Sequence, residues 1–141
     1  MLKILLIPLL AGFGAQVMKI LRYARTSKDV WKYLFSYGGM PSSHTAFVTS
    51  LTTIIYLSEG FRSPLFVLSL IYAFLTIRDA VGIRQTLGRH SFIINRLRNL
   101  LPAEERINIP PLEERIGHTP IEAAMGAFWG IGASLILWFL L

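Results

Sequence analysis

Cysteine is absent from the chain, which excludes disulfides, thiol nucleophiles and thiolate metal sites together. Charge is scarce too. Charged side chains make up 16 % of the 141 residues, where ordinary soluble domains carry about 25 %. Acidic residues are the scarcer kind, eight against fourteen Lys and Arg, so the net charge is +6. The length fits one domain and leaves no room for a separate binding module. What is abundant is apolar: 53 % hydrophobic residues and a mean hydropathy of +0.53. The expected class is an integral membrane protein. A basic balance beside long apolar runs points to anionic lipid head groups, not nucleic acid, as the partner.

Four stretches are candidates to cross a hydrocarbon core, which needs about 20 helical residues. The first, 2–18, is broken only by Lys3 and Gln16. The second, 45–57, is short and rich in Thr and Ser, and the third covers 64–83. The fourth, 121–141, carries one charge, Glu122. Runs as short as the second are more often buried or re-entrant helices. Lys3 followed by Ile4 to Ala11 has the outline of a signal peptide, but the run continues to Lys19, which favours a span. The expected fold is all-α: a single membrane domain over 1–141, about four transmembrane helices plus short interfacial helices.

Basic residues sit in two long loops, 19–40 and 84–120. Lys19, Arg22, Arg25, Lys28 and Lys32 occupy the first; Arg84, Arg89, Arg96, Arg98, Arg106 and Arg115 the second. The link between spans two and three holds only Arg62 against Glu59. Both loops therefore fall on one side, and the positive-inside rule makes it the cytoplasm, at an inner or plasma membrane. Within them, Val30, Trp31, Leu34 and Phe35 suggest one helix lying in the interface, and Leu87, Ile94, Leu97 and Leu101 another. Residues 104–111, with their prolines, read as loop.

The unusual polar residues converge on this basic side. His44 follows Gly38-Gly39-Met40-Pro41-Ser42-Ser43 where span two begins, and His118 precedes span four. Arg78 and Asp79 end span three with Arg84 just beyond; Gln16 and Lys19 end span one. A helix start near Pro41 points free N–H groups of Ser42, Ser43 and His44 at an anion, and Gly38-Gly39 permits close approach. Lys19 and Arg84 can neutralise phosphoryl oxygens. One imidazole can attack phosphorus while the other protonates the leaving oxygen.

Each residue also has a plainer reading. Ser42 and Ser43 can merely cap a helix, and Thr119-Pro120-Ile121-Glu122 is a good capping box. Lys19, Arg22 and Arg25 set topology first, Arg78 can snorkel, and His90 reads as surface. Asp79 at a membrane boundary wants a partner. His44, His118, Glu122 and Asp79 are metal-ligand types, but no close-spaced pair supports a metal, and no cofactor is expected.

Met40-Pro41-Ser42-Ser43-His44 resembles the P-S-G-H motif of the type 2 phosphatidic acid phosphatase superfamily, which also contains the vanadium haloperoxidases. Gly117 to Glu122, followed by Gly126, is similar to its last motif, H-Y-P-S-D and a glycine. The whole chain resembles the small divergent branch called acid phosphatase/haloperoxidase-related. That branch's patterns appear here as Gln16 with Lys19, Gly38 to His44, Asp79 to Arg84 and Gly117 to Glu122. The resemblance implies metal-independent hydrolysis of a lipid phosphate. His118 would be the nucleophile that becomes phosphohistidine, Glu122 would orient it, and His44 would be the general acid. Lys19, Ser42, Ser43 and Arg84 would hold the phosphate, with Gln16, Gly39, Asp79 and Arg115 in support.

The sequence departs from that pattern in places. The superfamily's first arginine position, seven residues after Lys19, holds Thr26, followed by Ser27 and no proline. Six residues before His118, where another arginine is expected, stands Leu112. Ser43 replaces glycine and Glu122 replaces aspartate. Two alternatives therefore stand beside the phosphatase: a weakly active relative that binds anionic head groups, and a structural subunit of a membrane complex. Gly12-Phe13-Gly14 and the glycines of 126–132 suit close helix packing and admit a homodimer.

Overall fold

Serine, threonine, proline and glycine set where the helices start and stop. The computed structural model describes residues 2–26, 30–31 and 38–141. Among them are six helices: α1 (Leu2–Tyr23), α2 (Ser43–Glu59), α3 (Pro64–Val81), α4 (Ile83–Leu100), α5 (Ala103–Arg106) and α6 (Pro120–Leu140). The Ser42 hydroxyl accepts the Thr45 N–H at 3.3 Å to start α2. Ser63 does the same for Leu65 before Pro64, and Thr119 and Glu122 close a capping box before Pro120. Gly60, at φ +80°, ends α2 in a conformation other residues resist. Gly82 separates α3 from α4 where the sequence suggests one run through residue 83.

The described core is small-residued: Ala11, Ala15, Ala46, Ala73, Ala80 and Ala123 are buried with Ile7, Val48 and Ile54. Large apolar side chains such as Leu68, Phe74, Phe128 and Phe139 are exposed instead. That is the arrangement a lipid solvent produces. Tails outside are as apolar as leucine, so helices associate by close packing and not by burying large groups. Leu2–Tyr23, the Pro64–Leu100 stretch containing α3, and Pro120–Leu140 are long and apolar enough to cross a membrane.

Helix α2 packs against α1, α3 and α6. At 17 residues it is about 26 Å long, and its neighbours shield it from lipid. It therefore tolerates polar side chains, which turn back onto their own backbone: Thr49 to Thr45 O at 2.7 Å, Thr52 to Val48 O at 2.9 Å, Thr53 to Thr49 O at 2.7 Å. Two stripes at helical spacing meet between α2 and α6: Ser42, Ala46 and Ser50 face Gly126, Gly130 and Ser134. A methyl on Gly130 would collide with the Ala46 carbonyl and the Thr49 hydroxyl. The Ser134 hydroxyl lies 2.6 Å from that of Ser50. On the α1 side, Gly14 lies under the Trp129 ring, whose Nε1 donates to Ala11 O at 2.9 Å. The glycines offered as a dimer face are thus consumed inside the bundle, except Gly132, whose methyl would meet nothing.

Helix α4 is amphipathic, exposing Leu87, Ile94, Leu97 and Leu100. Leu101 is its C-cap. The chain after α4 folds back over it. Asn95 accepts the Leu112 N–H at 2.9 Å and donates to Leu112 O and Glu114, both at 2.8 Å. Gly88 and Gly117 allow this contact, since a methyl at either would strike backbone of the opposite segment. A turn of helix, Ala103–Arg106, takes up the first residues of the stretch 104–111 that the sequence suggests is loop. Val30 and Trp31 are exposed; Ser27, Lys28, Lys32, Leu34 and Phe35 lie outside the described residues.

Candidate active site

Helices α1 and α3 run toward the end of the bundle from which α2 and α6 start. Two backbone bonds tie that end together: Ser42 N–H to Glu122 O at 3.2 Å, and His118 N–H to Ala80 O at 3.1 Å. The Ser42 amide is thus occupied, and its buried hydroxyl accepts from both the N–H and the Oγ1–H of Thr45. The expected anion nest narrows to the first-turn amides of Ser43 and His44.

His118 precedes α6, outside its span, and is 2 % exposed. Among the described residues neither ring nitrogen has a hydrogen-bond partner. Nδ1 lies 3.4 Å from Oε2 of Glu122. The same oxygen accepts the Thr119 N–H at 2.9 Å, so Glu122 caps α6 and faces the imidazole at once. Burial holds His118 below its ordinary 6.5, against the pull of Glu122, with Lys19 and His44 adding to the lowering. The ring is therefore neutral at neutral pH. A carboxylate beside Nδ1 favours the proton there and leaves the Nε2 lone pair free.

His44, exposed at the start of α2, has Lys19 and Arg84 as its charged neighbours. Lys19 is 1 % exposed, its stem against Gly39, which adopts φ +100°. Gln16 lies half-buried three residues earlier on α1. Arg84 Nε donates to Asp79 Oδ2 at 2.6 Å; this pair is about two-fifths exposed. His44, Asp79, Arg84 and His118 line one cavity of about 20 Å³, water-sized as it stands. His118 and Glu122 also border a wide cleft of about 820 Å³, where Arg115, Arg89, Gln85 and Tyr23 appear. No three His, Asp or Glu side chains come together at metal-ligand spacing among the described residues.

The sequence profile of the divergent PAP2 family matches residues 2–133. The chain belongs to that family. The uncharacterized membrane protein YuiD of Bacillus subtilis (strain 168) is 43 % identical over 94 residues, which are 66 % of this chain and 60 % of that protein. The chain thus matches less than two thirds of that relative's length. No solved structure matches.

Within this divergent PAP2 protein, four segments far apart in sequence bring Lys19, His44, Arg84 and His118 to one end. Arg115 lies on the cleft, away from the small cavity. Sequence reasoning passed over Gln85 and Arg89. Their signal was Gly88, a glycine within a helical run, which marks close backbone approach beside residues 84, 85 and 89 on the same face.

Proposed function

We propose that the protein hydrolyses a lipid phosphate through a phosphohistidine on His118, at a site facing the cytoplasm. The observation that carries this reading is His118 itself, buried with Nδ1 facing Glu122, with no hydrogen-bond partner for Nε2 among the described residues, and sharing a cavity with His44 and Arg84. A buried polar group without a partner is costly, and an incoming phosphoryl group relieves it. Seating that group draws Arg84 off Asp79; an exposed pair of this kind contributes little against the move.

Nε2 of His118 then attacks phosphorus, and the P–O bond to the lipid alcohol breaks. The phosphate's negative charge offsets Lys19 and Arg84 beside His44, which lets His44 carry a proton and give it to the departing oxygen. Neutral His44 next takes a proton from water, whose oxygen attacks phosphorus and breaks the P–N bond, releasing phosphate and His118. Lys19, Arg84 and the Ser43 and His44 amides balance charge on the equatorial oxygens throughout. The second reading, a head-group binder without turnover, is favoured by Thr26 and Leu112 at positions where the superfamily carries arginine.

The test is phosphate release by the detergent-purified full chain from phosphatidate, phosphatidylglycerophosphate and polyprenyl phosphates, with EDTA and with added divalent metal. Release from any of them supports hydrolysis. Saturable binding without release leaves the head-group binder. The pH profile gives a further check. Only neutral His118 attacks, so the acid limb of kcat/KM is expected below pH 6.5. Glu122 raises the His118 pKa, so Glu122→Gln is expected to move that limb to still lower pH. The substrate's own titration would not move, so an unshifted limb counts against His118 as its source.

A further inference from the structure

Where the chain turns at Gly82 from α3 into α4, a groove of about 620 Å³ runs along both helices. Its size falls in the range of small-molecule sites, about 300–1,000 Å³. Neither His44 nor His118 borders it. Leu75, Ile83 and Leu87 supply apolar walls, each about half exposed or more. Arg78 and His90 supply the polar rim, and among the described residues neither makes an ion pair. The one acid bordering the groove, Asp79, is held by Arg84. The groove is therefore apolar below and cationic above.

Its position selects the occupant. Arg78 lies in the last turn of α3, and the exposed Leu68, Ile71 and Leu75 run down α3 from it. The groove wall thus continues into the lipid-facing surface. Apolar surface at a membrane boundary, topped by an unpaired guanidinium, matches a phospholipid's chain and head group. Of the other helices, α4 packs mainly against α3, and the 113–118 segment covers its Gly88 and Gln85 side.

We propose that the elbow groove binds an anionic phospholipid of the surrounding bilayer, its phosphate on Arg78 and His90 and a chain along Leu75 and Leu87. The bound lipid holds α4 against the bundle, and with it the Arg84 and Arg89 that border the histidine cavity and the cleft. The site is separate from the proposed reaction and does not require it.

Native mass spectrometry of the delipidated full chain, titrated with phosphatidylglycerol or phosphatidylcholine of the same chains, tests this without an activity assay. Phosphatidylglycerol is expected to be retained about fivefold better, the preference one interfacial cation confers. Arg78→Gln should abolish that preference. Thr86→Trp should fill the groove and lose the lipid with all charges kept, which covers the case of a poorly folding Arg78 variant. His118→Ala should leave retention unchanged. Equal retention of the two lipids would overturn the proposal, as would a preference surviving in Thr86→Trp or lost only in His118→Ala. Displacement of the lipid by millimolar glycerol phosphate would also overturn it, by showing that the head group alone suffices.

Discussion

His118→Ala is expected to lower phosphate release from a lipid phosphate by at least about 10³-fold, the scale on which removing a covalent nucleophile acts. His44→Ala should behave differently. Loss of a general acid costs about 10² to 10⁴ when the leaving group is a poor one, as a lipid alcohol is. With p-nitrophenyl phosphate, whose leaving group needs no proton, the His44 variant should recover the first step, read as a burst of p-nitrophenol, while its turnover stays slow because the water still lacks its base; His118→Ala should give no burst. Both variants must be compared with the parent for retained fold. His118 is buried, and its one polar contact among the described residues is Nδ1 at 3.4 Å from Glu122, whose bond to the Thr119 N–H remains when the ring is removed. Equal release by parent and His118→Ala would remove His118 as nucleophile. Absence of the burst from the His44 variant as well would deny His44 the acid role.

Gly130→Leu is expected to destabilise the bundle by at least about 3 kcal/mol, read as the midpoint of unfolding in mixed detergent. The first carbon added would already meet the Ala46 carbonyl and the Thr49 hydroxyl. Backbone of a central helix cannot yield as a side chain can, so α6 must move away from α2. That movement also strains the Ser134–Ser50 and Trp129–Ala11 hydrogen bonds. Because Ser42 is bonded to Glu122 across the same interface, the histidine site should open and phosphate release should fall as well. Gly132→Leu is the control: nothing lies within 4 Å of its added carbon, and it should cost under about 0.5 kcal/mol. Equal effects of the two substitutions would refute the packing account.

The membrane class was legible in the sequence because hydropathy is a local property, summed along the chain without regard to partners. So were the helix starts at Ser42 and Thr119, since capping needs only residues within three positions of one another. The divergent PAP2 family was legible for a similar reason: its motifs are short and contiguous. Helix α2 was harder to read, because its Thr and Ser hydroxyls are satisfied by the turn behind them and shielded by three neighbours. A window that scores apolarity alone truncates it.

Other features were decided only by tertiary structure. Glu122 offered two readings, cap or partner of a histidine, and one oxygen turns out to face both the Thr119 amide and His118. Ser42 was expected to offer an amide to an anion and instead gives it to the Glu122 carbonyl. Asp79 found its partner in Arg84. The glycines of α6 read equally well as a dimer face or an internal seam, and contact with α2 chose the seam for Gly126 and Gly130. Motifs and hydropathy fix which chemistry is present and near which end of each helix it falls. Which partner each polar group takes depends on distances between segments as much as a hundred residues apart, and those distances exist only once the helices pack.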